Sequence, residues 1–397
     1  MLRTIALALA TLLLAAPASA ASPSTATLKA ALARDVDQYL ATRSKIEHLS
    51  AISLSVSLKG SSDYINVTAG RMQYGGGDPI TPDNIFQIGS NTKAFTSVAI
   101  LQLEAEGKLN IDQPLGKWLP QYPAWKNVTI RRLLSMTSGI PSYDNVDEML
   151  AAYAKTPKRH FTVPELIAYA YPTNAKAPKP TTGYSYSNTN YLLAELIVEK
   201  ASGDTFPNQL DKRFFHGGPN LNNTFYAPSQ YPADVLARLP AGYFVNTDPD
   251  NKPLFPLLGT NVSLDSLSWM QGAGGISATM QDLARWARDL YTGPVLAPKQ
   301  RAEMESLVST KTGKPLAKVS ADDPRGFGLG VAQMMLPDIG PIWFYEGESL
   351  GFRTVHFYDP ATGVIATFSF NSRPPAKEDG AGKLASAIFK TLKSAGI

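Results

Sequence analysis

A serine and a lysine three residues apart, Ser90 and Lys93, are the residues of this chain best placed to do chemistry. They lie in Gln87-Ile88-Gly89-Ser90-Asn91-Thr92-Lys93, which follows a short apolar run. It opens a segment whose Ala94, Val98, Leu101 and Ala105 keep one helical face and which stops at Gly107. Residues three apart share a helix face, so the spacing predicts the Lys93 amine within hydrogen-bond reach of the Ser90 hydroxyl. The N-terminal end of the helix dipole favours a developing alkoxide and disfavours a protonated amine beside it. Both effects suit a nucleophile and its base. The ordinary alternative is a capping serine ahead of a surface lysine. Against that alternative, Ser-x-x-Lys occurs only here in the chain, and it falls at a strand-to-helix corner.

A tyrosine two residues before an asparagine occurs three times: Tyr64-Ile65-Asn66, Tyr143-Asp144-Asn145 and Tyr186-Ser187-Asn188. The last is followed by Thr189-Asn190-Tyr191 and an apolar-faced helix carrying Leu192, Leu193, Leu196 and Ile197. Further on, Gly326-Phe327-Gly328-Leu329-Gly330 precedes Tyr345-Glu346-Gly347-Glu348-Ser349-Leu350-Gly351-Phe352. In this order, and with Gly107-Lys108-Leu109-Asn110-Ile111-Asp112 and Gly274-Gly275-Ile276-Ser277 between them, these segments resemble the class C β-lactamase, serine DD-peptidase (penicillin-binding) and class VIII esterase family. The resemblance runs from about Ile52 to Phe370.

The resemblance implies that Ser90 is the nucleophile, that Lys93 and Tyr186 handle the protons, and that the backbone N–H groups of Ser90 and Glu348 form an oxyanion hole. Asn188, Tyr345 and Gly347 then border the substrate. The family's third motif is Lys-Thr-Gly or His-x-Gly. The literal Lys311-Thr312-Gly313 reads as a solvated turn, because Lys314, Pro315 and Lys318 follow it and because it precedes Gly326-Phe327-Gly328. Tyr345 therefore stands where the family has a cation. Arg353, just after Gly351-Phe352, is a candidate to restore that charge, with an exposed strand arginine as the plain alternative. The implied activity is hydrolysis of amides or esters, with D-amino-acid peptides, β-lactams and small esters as substrate classes. A penicillin-binding sensor that does not turn over is the competing reading.

The elements that must hold these residues are legible as patterns. Leu28, Leu32, Val36 and Leu40 recur at helical spacing, and Ile52, Leu54, Val56 and Leu58 alternate with serines as in a strand with one buried face. Thr354 to Tyr358, a turn at Asp359-Pro360-Ala361-Thr362-Gly363, Val364 to Phe370 and a helix with Leu384, Ile388 and Leu392 repeat the theme at the other end. The expected architecture is α+β: an antiparallel sheet with N- and C-terminal helices, from residues 21–92 and 276–397, and a mostly helical insertion over 93–275. Gly272-Ala273-Gly274-Gly275 lacks the spacing of a phosphate loop and reads as a tight turn before a helix capped by Thr279.

Composition bounds the rest. Met1-Leu2-Arg3, an apolar stretch from Ile5 to Ala16 and Ala18-Ser19-Ala20 read as a leader cleaved after Ala20, which predicts a periplasmic or secreted protein. The apolar stretch is short of the about 20 residues that a span needs, so no membrane span is expected. Cysteine is absent, which excludes disulfides, a thiol nucleophile and thiolate metal sites. A formal net charge of +4 over 397 residues is too mild to argue for nucleic acid. His48, His160, His216 and His356 are scattered without ligand spacing, so no metal and no cofactor is expected. The partner is a small-molecule or peptidoglycan-derived peptide substrate, and the pattern carries no oligomeric state.

Overall fold

The computed structural model describes residues 24–397, so the leader lies outside the described residues. Ten strands form one sheet: β1 (Ala51–Ser57), β2 (Tyr64–Gln73), β3 (Gly76–Pro79), β4 (Leu307–Ser309), β5 (Pro315–Leu316), β6 (Arg325–Phe327), β7 (Ala332–Leu336), β8 (Gly340–Glu348), β9 (Arg353–Asp359) and β10 (Val364–Phe370). Their spatial order is β3-β2-β1-β10-β9-β8-β7-β6-β4-β5, and every neighbouring pair is antiparallel. The two ends of the chain meet in the middle of the sheet, where Ile52 of β1 stands opposite Phe370 of β10. The helices include α1 (Thr25–Glu47), α2 (Thr92–Ala105), α3 (Thr189–Ser202), the single turn α4 (Gln271–Gly274), α5 (Met280–Thr292) and α6 (Ala381–Ser394).

Alternation in β1 and β10 decides what each face of the sheet meets. Ile52, Leu54, Val56 and Phe368 share a buried cluster with Leu28, Leu32 and Val36 of α1 and Leu384 and Ile388 of α6, so the terminal helices cover one face. Ser53, Ser55 and Ser57 point the other way, and they too are buried. The expectation of a strand with one buried face is corrected here, because α5 lies on the serine side. Its Arg288 donates to the carbonyl and hydroxyl oxygens of Ser57, each at 2.9 Å, and Thr367 Oγ1 donates to the Met280 carbonyl at 2.7 Å. Small hydroxylated side chains leave room for a helix, and at Ser57 and Thr367 they hydrogen-bond to it, which an aliphatic face could not do.

Between β3 and β4 the chain builds a mostly helical layer whose core includes Leu192 and Leu193 of α3 and Phe95, Val98 and Leu101 of α2. Phe95 stacks on Trp286 of α5 at 3.9 Å between ring centroids, which ties this layer to the helix on the sheet. The glycine-rich stretch forms α4 and then a short strand, Ile276–Ala278. Thr279 caps α5, its hydroxyl accepting from the Asp282 N–H at 3.3 Å. Among the described residues no helix is long and apolar enough to cross a membrane.

Candidate active site

The short strand Phe86–Gln87 ends in a tight turn, Gly89–Asn91, which runs into α2. Gly89 takes φ +50°, and a Cβ there would lie 2.5 Å from the backbone N of Glu348. A Cβ on Gly347 would lie 2.0 Å from the Ile88 carbonyl oxygen and 2.8 Å from the Ser90 N. Two missing side chains therefore let the end of β8 run backbone to backbone against the serine turn. Asn91 fastens the turn from beneath: its Nδ2 donates to the Ile88 carbonyl at 2.8 Å and the Thr354 carbonyl at 3.1 Å. That leaves Asn91 Oδ1 to accept from Nδ1 of His356 at 2.7 Å, and His356 Nε2 to accept from the Tyr291 hydroxyl at 2.8 Å. Burial pushes the His356 imidazole down to about 3, so it stays neutral and serves packing.

Lys93, the second residue of α2, is fully buried. Its Nζ donates to Ser90 Oγ at 2.9 Å and to the Ala273 carbonyl at 2.8 Å. The α4 turn that supplies this carbonyl is held by Glu195 of α3, whose Oε2 accepts from the Gly272 N–H at 2.7 Å. No carboxylate forms an ion pair with Lys93 among the described residues. Loss of hydration pulls the amine down from 10.5 to about 7, against a smaller upward pull from Asp144. The amine can therefore lose its proton near neutral pH.

Tyr186 arrives from the loop before α3. The residue is 39% exposed, but its hydroxyl donates to Ser90 Oγ at 2.8 Å. Desolvation pushes this phenol up to about 12, in spite of the hydrogen bonds to Ser90 and Tyr345. The Lys93 Nζ also stands 4.9 Å from the centroid of the Tyr186 ring. The Ser90 hydroxyl thus sits between a neutralisable amine and a protonated phenol, an arrangement that can take a proton from the serine and deliver one elsewhere.

Of the residues bordering this trio, Tyr345 of β8 is buried, with its hydroxyl 3.5 Å from that of Tyr186 and its ring 6.0 Å from Phe327. Gly347 reaches the site as a spacer between backbones. Asn188 stands at the start of α3, its Nδ2 donating to Asp144 Oδ2 at 2.7 Å. Arg353 does not reach the cleft, which corrects its assignment as a substrate-binding cation. In the β8–β9 register it lies opposite Glu348, and cross-strand partners point to the same face, here the outer one. There it is completely buried against Glu47 and Asp379, each at 2.5 Å, and it donates to the Ser372 carbonyl at 2.9 Å. Lys311-Thr312-Gly313 occupies the exposed β4–β5 turn, where Gly313 packs against the backbone of Gly183 and Tyr184.

The sequence reading missed Asp144, because the Tyr143 triplet was set aside once Tyr186 was preferred. It also missed the Ala273 carbonyl, which no side-chain pattern could have revealed. Glu346, Glu348 and Asp379 gather on the outer face, and Arg373 and Arg353 already pair with the last two.

Comparison with known proteins bears on the family and the fold. Penicillin-binding protein 4* of Bacillus subtilis is 25% identical over 279 residues, covering 70% of this chain and 58% of that protein. The putative penicillin-binding protein PbpX of the same organism is 26% identical over 62% of this chain and 55% of that protein, so the chain spans little more than half the length of these relatives. Two solved structures share the fold. The D-stereospecific amidohydrolase of a Streptomyces species has TM-score 0.74 and 24% identity, covering 91% of this chain and 98% of that one. The D-amino acid amidase of Ochrobactrum anthropi SV3, complexed with D-phenylalanine, has TM-score 0.76 and 21% identity, covering 93% and 99%. The beta-lactamase family model matches residues 36–388, nearly all of the described chain, and the chain belongs to that family of serine hydrolases.

Proposed function

We propose that this chain is an exported hydrolase of amide or ester bonds that passes through an acyl-enzyme on Ser90, with D-amino-acid amides and peptides as its substrate class. The observation that carries the reading is the buried Lys93 amine, lowered to about 7 and 2.9 Å from Ser90 Oγ. Neutral Lys93 accepts the Ser90 proton as Oγ attacks the carbonyl carbon. The oxyanion so formed lies between the N–H groups of Ser90 and Glu348, a feature worth about 10² to 10³ in rate per donor. Tyr186, protonated at neutral pH, donates to the leaving nitrogen or oxygen and regains a proton from Lys93. Water then repeats the sequence on the acyl carbon in reverse and frees Ser90. Every step uses side chains of this chain, so the reading needs no metal and no cofactor. The substrate class is supported by the names of the amidohydrolase and amidase that share the fold, and export by the leader pattern. On this reading residues 21–397 act as one catalytic unit.

The test is labelling with a fluorophosphonate followed by intact-mass analysis, alongside turnover of a D-alanine anilide, a short-chain ester and a chromogenic cephalosporin. One adduct on Ser90 and sustained turnover are expected. Labelling or turnover that survives in Ser90→Ala refutes the nucleophile. A single stoichiometric burst on every substrate refutes the hydrolase and leaves a penicillin-binding sensor.

A further inference from the structure

Glu195 of α3 is buried, and it touches the site only through its hold on α4. Its Oε2 accepts from the Gly272 N–H at 2.7 Å, and its Oε1 stands 3.4 Å from the hydroxyl of Tyr226, in the short strand Thr224–Tyr226. Among the described residues no lysine, arginine or histidine forms an ion pair with it. Arg131 and Arg132, on a short helix packed against α3, turn to Asp112 and to the Thr137 carbonyl. The titratable groups that face Glu195 are Tyr226, Tyr143 and, one turn further along α3, Glu199, none of which can offset a negative charge. Burial pushes the Glu195 carboxyl up to about 8, against the pull of the Gly272 N–H.

Gln271 settles which way the hydrogens run. Its Nε2 donates to the Phe161 carbonyl at 2.9 Å, which turns its Oε1 to the Tyr226 hydroxyl, also at 2.9 Å. A phenol has one hydrogen, and over the shorter distance it goes to Gln271. Glu195 Oε1 then meets an oxygen that can only accept, so the carboxyl must supply the hydrogen itself. With Glu195 protonated the chain is complete: Glu195 donates to Tyr226, Tyr226 to Gln271 and Gln271 to Phe161. With Glu195 ionised, either its own Oε1 or that of Gln271 is buried without a donor. The chain braces a strained place. Gln271 takes φ +42°, a conformation that a residue with a side chain keeps only where its surroundings over-determine it. The single turn that follows supplies two carbonyls to α2, that of Gly272 to Thr96 Oγ1 at 2.7 Å and that of Ala273 to Lys93 Nζ.

Resting on the Ser90 reading, we propose that Glu195 is a positioning residue of this reaction: as a neutral acid it donates to Tyr226, locks Gln271, and so fixes the Ala273 carbonyl that aims the Lys93 amine at Ser90. Its neutrality also spares Lys93 a buried anion that would hold the amine protonated. Glu195 makes no contact with the reacting atoms.

The test compares wild type, Glu195→Gln, Glu195→Ala and Tyr226→Phe in the full chain, by pH profiles of kcat and kcat/KM on a short-chain ester and by infrared difference spectra of wild type against Glu195→Gln at pH 7. Glutamine has the shape of the protonated acid and can do both of its tasks, accepting from Gly272 through its oxygen and donating to Tyr226 through its N–H2. Glu195→Gln is therefore expected to keep kcat/KM within a fewfold of wild type and to leave the rising limb of Lys93 at about 7. Glu195→Ala and Tyr226→Phe should lower kcat by about 10- to 10²-fold, the cost of a misplaced catalytic group, with KM changed far less. The difference spectrum should contain the C=O band of a protonated carboxyl group. A limb that moves to lower pH in Glu195→Gln would show that the native residue is an anion, and it would overturn the proposal. So would a missing carboxyl band, a loss in Glu195→Gln as large as in Glu195→Ala, or full activity in Glu195→Ala or Tyr226→Phe. If Glu195→Ala does not fold, Glu195→Gln and Tyr226→Phe decide. Failure of the underlying reading looks different, since fluorophosphonate would then leave Ser90 unlabelled while the carboxyl band remained.

Discussion

The Ser90 hydroxyl accepts from one proton carrier and faces another, and their ionisations have been driven apart. Burial lowers Lys93 to about 7 and raises Tyr186 to about 12, so at neutral pH the amine is the group able to accept and the phenol the group able to donate. The rate should therefore rise with pH through about 7 and level off above it, a limb that kcat/KM profiles in wild type and Lys93→Arg would assign. The same shift has a stability consequence. Between pH 7 and 10.5 the unfolded chain holds a proton on Lys93 that the folded chain has lost, so this group's contribution to stability grows as pH rises across that window. Lys93→Ala and Tyr186→Phe should each cost at least about 10² in kcat/KM. Their double variant should be little worse than the more damaging single one, because the two act as a unit. At Tyr345 a neutral phenol stands where the resemblance expects a cation. Tyr345→Lys should shift the cephalosporin-to-ester ratio of kcat/KM toward the carboxylate by about tenfold, or about 1.4 kcal/mol. An unchanged ratio would mean that substrate carboxylates do not reach this strand.

Elements meet at the site as backbones. The serine turn and the end of β8 approach so closely that neither Gly89 nor Gly347 has space for a methyl group. Gly347→Ala would place its Cβ 2.0 Å from the Ile88 carbonyl oxygen, and backbone on both sides cannot yield as a side chain would. The strand must then move off the turn, taking the Glu348 N–H with it. The expected loss is at least about 10² in kcat/KM, the value of one oxyanion donor, with KM changed far less than kcat. Steady-state kinetics on the ester substrate, with circular dichroism as a check of folding, would measure it. Activity within a fewfold of wild type would show that Glu348 N–H is not a donor to the reaction. The Lys93 amine depends on backbone in the same way, through Ala273 of α4.

Across the whole molecule the two chain ends are stitched together behind the site. Arg353 of β9 pairs with Glu47 at the end of α1 and with Asp379 ahead of α6. Glu47 also accepts from Tyr39 at 2.8 Å and from Arg43 at 2.6 Å. Removing one partner from a buried ion pair leaves the other charge without compensation, at about 3 to 5 kcal/mol. Arg353→Met should lower the free energy of unfolding in urea by that amount. It should leave the ratio of carboxylate-bearing to neutral substrates unchanged. A variant with normal stability and an altered ratio would return Arg353 to the substrate.

What the sequence determined by itself was local. Ser90 and Lys93 are set by one helical turn, the hairpins and terminal helices by their hydrophobic periods, and the Thr279 cap by its neighbours, so each follows from residues close along the chain. Tyr186 was legible through the apolar helix that follows it, although its distance from Ser90 was not. Tertiary structure decided everything that depends on register and on contacts between distant segments. The face taken by Arg353 follows from its pairing with Glu348, and a change of one residue in register would have turned it to the cleft. The burial of both faces of β1 follows from where α5 lies. The place of Asp144 follows from two loops that converge on Asn188 from 44 residues apart. Charges and hydrogen-bond donors act through space, and the chain order records only which of them are present.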